Sequence, residues 1–107
     1  MQGNLIFITV DVSALTPPEP MTVILKHLST LTTQECLLIK HRRQPFPLYE
    51  KLHGAGFSYY CVGHSQDDIT LYIFHQKAKT VFDRWLVTSG LAISNLTTSG
   101  LVKGKSK

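Results

Sequence analysis

Three prolines within four residues, in the run LTPPEP at positions 15–20, fix where this chain changes from strand to helix. Proline locks φ and has no N–H to donate. It is expelled from strand and helix interiors but fits the first helical turn. Before the run, residues 5–12 (LIFITVDV) are rich in β-branched and aromatic types and read as a strand. After it, Met21, Ile24, Leu25, Leu28 and Leu31 recur at the spacing of an amphipathic helix. Residues 13–20 are then the turn between them. With Pro17 at the N-cap, Pro18 is N1 and Pro20 is N3, where backbone N–H groups have no helical partner in any case. The same placement removes most donors by which a helix start attracts anions. It leaves mainly Glu19, which is itself negative.

Residues 32–34 break the helical period, and 35–42 read as a second strand. A loop follows at 43–47. Residues 47–53 suit a short helix, with Pro47 in its first turn and Gly54 at its end. Two more strands, 57–64 and 69–75, flank a polar linker at 65–68 short enough for a hairpin. The order strand, helix, strand, helix, strand, strand predicts an α/β fold. Its expected form is a two-layer sandwich, a four-stranded mixed sheet with two helices on one face. The domain is expected over 1–78, a helical extension over 79–94 and a flexible basic tail over 95–107. In the extension Val81, Phe82, Trp85, Leu86 or Thr88, and Leu91 give a helical pattern broken by Gly90.

Both faces of this sheet are apolar. Leu5 and Phe7 alternate with Ile6, Ile8 and Val10, and Tyr72 and Phe74 alternate with Ile69, Leu71 and Ile73. Helices on one face leave the other uncovered, and exposed apolar patches of that size mark interfaces. Either the segment around Phe82, Trp85 and Leu86 folds over it, or a second copy does, forming a homodimer.

At 107 residues, 43% hydrophobic and 17% charged, the chain has the make-up of one globular domain. No apolar run approaches the ~20 residues that span a bilayer, so no membrane partner is expected. The opening residues read as a strand rather than a signal peptide. Cys36 and Cys61 are too few for a disulfide framework, so the expected compartment is the reducing cytoplasm. Net charge is +4, but Lys103, Lys105 and Lys107 supply much of it from the tail. A nucleic-acid partner is therefore not expected.

The chemistry-bearing stretch is Lys40, His41, Arg42 and Arg43, at the end of the second strand. Loops at strand ends carry ligands in α/β architectures, and arginine grips carboxylate or phosphate with two parallel bonds. If the first two strands are parallel neighbours, this loop shares one sheet end with the proline run. Glu19 would then lie near the arginines, and an ion pair would be the plain explanation of both. His41, His64, His75 and Cys61 do not have the spacing of a metal site, and no metal or cofactor is expected. No Ser–His–Asp arrangement, carboxylate pair or glycine-rich phosphate loop marks a catalytic centre. Both cysteines fall in strands, where thiols act as small hydrophobes. Cys36 is the better candidate for a reactive one.

The runs VDVSALTPPEPMTVILKHL and HRRQPFPLYEKLHGAGFSY together resemble a family of uncharacterised bacterial domains related to the TusA/SirA-like sulfur carriers. The resemblance covers residues 5–76 and implies the same two-layer sandwich. In the carriers the helix opens with Cys-Pro-x-Pro, whose cysteine holds a persulfide. Here Pro17 stands at that position, and proline holds no sulfur. The resemblance then implies a non-catalytic accessory module. It would take a small anionic ligand or a protein partner through Pro17, Pro18, Glu19, Pro20, His41, Arg42 and Arg43. Two alternatives stay open: a sulfur relay through Cys36 or Cys61, and an RNA-binding domain using the strand aromatics.

Overall fold

The structure, a computed structural model, describes residues 5–90. The tail expected over 95–107, and the end of the extension with Leu91, lie outside the described residues. The chain forms β1 (Ile6–Asp11), α1 (Glu19–Leu28), β2 (Glu35–His41), α2 (Phe46–Gly54), β3 (Phe57–Ser65), β4 (Asp68–His75), a single 3-10 turn (Gln76–Ala78) and α3 (Lys79–Ser89). The strands make one mixed open sheet in the order β1-β2-β4-β3. β1 and β2 run parallel, with Asp11 opposite Lys40. β4 is antiparallel to both β2 and β3.

The element order is the expected one, and the boundaries move for identifiable reasons. The N-cap of α1 is Pro18, one residue later than expected, so Glu19 is N1 and Pro20 is N2. The first helical hydrogen bond settles this, since the Thr22 N–H donates to the Pro18 carbonyl at 3.2 Å. α2 begins one residue early, at Phe46, because Pro45 serves as its N-cap. It continues through Gly54, and the left-handed position that stops the chain is Gly56, with φ +87°. Gly90 takes the same conformation, φ +88°, as the C-cap of α3.

Two cores lie on opposite faces of the sheet. On one, Ile24 and Leu28 of α1 and Leu48 and Leu52 of α2 pack on Leu37, Ile39, Leu71 and Ile73. On the other, Phe82 and Leu86 of α3 pack with Ala78 against Cys36, Tyr72 and Phe74. The two helices expected on one face are there, and the extension covers the other. α3 thus supplies the cover for which a second copy was the alternative. Its seal is aromatic, with the Phe82 ring stacked on Phe74 at a centroid distance of 4.1 Å and Trp85 lying 4.8 Å from Phe7.

Candidate functional site

The parallel pairing of β1 and β2 sends both following segments out at one end of the sheet. The proline run and the arginine loop therefore share that end, as expected. The hairpin turn between β3 and β4 also lies there, because His41 pairs with Ile69 at the start of β4. The turn after β1 is tied locally. The Asp11 carboxylate accepts from the Ser13 N–H at 2.9 Å and the Ser13 hydroxyl at 2.6 Å. These bonds hold the Asp11 carboxyl below its usual range.

Pro17, Pro18 and Glu19 are exposed, whereas Pro20 is buried beneath the first turn of α1. The Glu19 N–H, the donor expected to remain at this helix start, donates to the Thr16 carbonyl at 2.9 Å. No ion pair joins Glu19 to Arg42 or Arg43. Among the described residues the one ion pair is Lys79 with Asp83. The plain explanation for the paired arginines is therefore absent.

Arg42 and Arg43 are exposed on a loop whose backbone is held by their neighbour. The Nδ1 atom of His41 accepts from the Arg42 N–H at 2.8 Å and from the Arg43 N–H at 3.3 Å. Partial burial, and secondly the Arg42 charge, lower the His41 pKa below its usual 6.5. Further along the loop, the Tyr49 hydroxyl donates to Gln44 Oε1 at 3.0 Å. The Tyr49 ring stacks on Tyr59 of β3, with centroids 3.9 Å apart and planes 5° from parallel. The loop is thus braced at both ends.

A depression of about 520 Å³ opens over this loop. Arg42, Arg43 and Phe46 form one wall, and Gly63, Gln66 and Asp67 of the β3–β4 hairpin form the other. Pro17, Pro18 and Glu19 do not line it. The hairpin residues and Phe46, which is 65% exposed, were missed by sequence reasoning. The short 65–68 linker was the available signal, since a tight turn after β3 returns the chain to the end where β2 finishes.

The remaining candidates have local roles. His64 Nε2 is 2.8 Å from the Thr70 hydroxyl. His75 Nε2 donates to the Leu31 carbonyl at 2.8 Å, tying the end of β4 to the loop after α1. Among the described residues no three His, Cys, Asp or Glu side chains gather as metal ligands would. Cys36 is fully buried, and burial pushes its thiol up to about 12. Cys61 is half-buried and also raised by burial, opposed by its contact with Tyr49. Native protein at pH 8 is therefore expected to leave Cys36 unalkylated by iodoacetamide and to label Cys61 slowly. Both should label fully in denaturant, as intact mass would show. Rapid labelling of Cys36 in the native state would contradict its placement.

A second, smaller depression of about 340 Å³ lies beside the start of α3. Its aromatic floor is closed, since Phe74 and Phe82 are 2% and 1% exposed. At its rim Lys79 and Asp83 are already paired at 2.8 Å. No helix among the described residues is long and apolar enough to cross a membrane.

Fold and site together describe a small mixed-sheet α/β domain with a braced arginine loop at one sheet end, in no ion pair among the described residues. Residues 9–75 match the family model of DUF2249, described as an uncharacterized conserved protein, and the chain belongs to that family. Comparisons with the curated proteins and with the solved structures give no match. The matched region runs from β1 to the end of β4 and contains the whole arginine loop. α3 lies beyond it.

Proposed function

We propose that this domain is a non-catalytic binding module that takes a small anionic ligand, or an acidic group of a protein partner, on the Arg42–Arg43 loop. The observation that carries this reading is a pair of exposed guanidinium groups on a backbone fixed by His41, neither of them in an ion pair with any of the described residues. Pre-ordering such a loop lowers the entropy cost of capture. The hairpin wall adds the Gln66 amide, and Phe46 offers an apolar surface beside the charge.

The kinship to TusA/SirA-like sulfur carriers belongs to the same reading. It rests on the two sequence runs and on the strand and helix order. Pro17 at the persulfide position, with one thiol buried and the other partly so, supports binding rather than sulfur transfer. The proline run then acts as a rigid junction that sets α1 against the sheet.

The double variant Arg42→Ala with Arg43→Ala tests the reading. Sulfate, which keeps its charge from pH 5 to 8, serves as the probe, followed through the amide resonances of residues 42–44. Loss of one charge-assisted contact corresponds to roughly a tenfold or greater loss of affinity. Because both side chains are exposed, stability should change by no more than about 0.5 kcal/mol. Equal sulfate responses in the two proteins would count against the arginine loop as the site.

A further inference from the structure

We infer that His41 is a proton-operated latch on the arginine loop: its neutral ring holds the Arg42 and Arg43 backbone in place, and its protonated ring releases it. This rests on the proposed function only for its consequence in binding. The latch itself follows from hydrogen-bond chemistry.

Two backbone N–H groups converge on one ring nitrogen, at 2.8 and 3.3 Å. An imidazole nitrogen accepts only while it carries no proton. In the imidazolium form both ring nitrogens are donors. Protonation at Nδ1 therefore replaces two attractive contacts with an N–H facing two N–H groups. No rotation about the loop's own bonds keeps both contacts in that state, so the ring or the loop must move.

The surroundings set the direction. His41 closes β2 and pairs with Ile69 of β4, which is apolar. The nearest charges on its own segment are Lys40, Arg42 and Arg43, all positive. Asp11 of β1 faces Lys40 rather than His41, and it is engaged by Ser13. Asp68, next to Ile69 on β4, pairs across the hairpin with Ser65. Burial and the Arg42 charge both oppose protonation, and among the described residues no carboxylate is paired with the ring to offset them. Because the folded-state value lies below that of the unfolded chain, the stabilisation by neutral His41 is complete above pH 6.5. It is lost progressively as pH falls below that value.

The deciding experiment is a pH titration of the full chain from 8 to 5 by proton–nitrogen correlation spectroscopy, comparing wild type with His41→Asn. An asparagine oxygen accepts from backbone N–H groups without titrating. In wild type the Arg42 and Arg43 amide resonances should shift together, with one midpoint below 6.5 that matches the His41 ring protons. In His41→Asn that shift should vanish while the rest of the spectrum keeps its dispersion. Arg42 and Arg43 amides that ignore the His41 titration would overturn the latch, as would a shift that persists in the variant.

A sulfate arm separates the latch from the binding reading. With the latch intact, sulfate affinity falls on acidification in wild type and stays flat in His41→Asn. Affinity that rises on acidification would show added ring charge outweighing loop order, and would overturn the latch as a control on capture. A loop that titrates as expected in a protein whose arginines give no sulfate response would support the latch and count against the arginine site.

Discussion

Phe82→Ala is expected to cost about 3–5 kcal/mol of folding stability, the range for emptying a fully buried aromatic site. Phe82 is 1% exposed and central to the α3 core. Its ring stacks on Phe74 at 4.1 Å and lies 5.9 Å from Tyr60, 5.6 Å from Tyr72 and 5.4 Å from Trp85. Truncation removes the residue that fixes α3 to the sheet, and a helix of this length does not persist in water without packing. Trp85, the only tryptophan, reports on the same contact from the next turn. Urea unfolding should therefore show the Trp85 fluorescence transition ahead of the far-ultraviolet dichroism transition in the variant, and coincident transitions in wild type. A loss below about 1 kcal/mol would mean that α3 is not the cover of this face.

Ile24→Ala is expected to cost about 2–5 kcal/mol on the opposite face. Ile24 is fully buried where α1 meets the sheet. Its neighbour Leu25 belongs to the same apolar period in sequence but is 38% exposed. Leu25→Ala should stay within about 0.5 kcal/mol, the usual range for a surface change. The contrast between adjacent residues tests the orientation of α1 directly, through the midpoints of urea unfolding. Equal losses would place the buried stripe of α1 elsewhere.

The comparison of Ile24 with Leu25 shows where sequence reasoning stops. Periodicity of 3.6 marks a helix and its broad apolar side, but that side is wider than the contact it makes. For the same reason Phe82, Trp85 and Leu86 announced an apolar stripe without saying whether it or a second copy would cover the open face of this sheet. The Pro18 cap shifted by one residue because a run of prolines offers several equivalent ways to place residues without N–H donors. The Thr22 bond to Pro18 chooses among them.

At the site, Arg42 and Arg43 were legible as a basic loop at a strand end, since that needs only the strand's end point. Their separation from Glu19 was not legible. Sharing one end of a sheet constrains two loops to the same region without bringing particular side chains within reach. The role of His41 was hidden for a different reason. A histidine at a strand end has many partners open to it, and the choice of the next two backbone N–H groups is made by the local chain path. Asp67 and Gln66 entered the wall through the hairpin, a long-range consequence of β4 lying between β2 and β3.

That central placement of β4 bears on how the sheet finds its alignment. Leu71 and Ile73 face one core and Tyr72 and Phe74 the other, so the middle of the strand is apolar on both sides. In a half-exposed strand, a slip by one residue turns the oily side toward water and is rejected at once. Here a slip would only exchange aliphatic side chains for rings, and polarity would raise little objection. Discrimination falls instead to side-chain volume, flat rings under α3 and branched chains under α1 and α2, and to the short turn from Ser65 to Asp68 that meters the hairpin. The alignment of this sheet is a matter of shape and turn length more than of water.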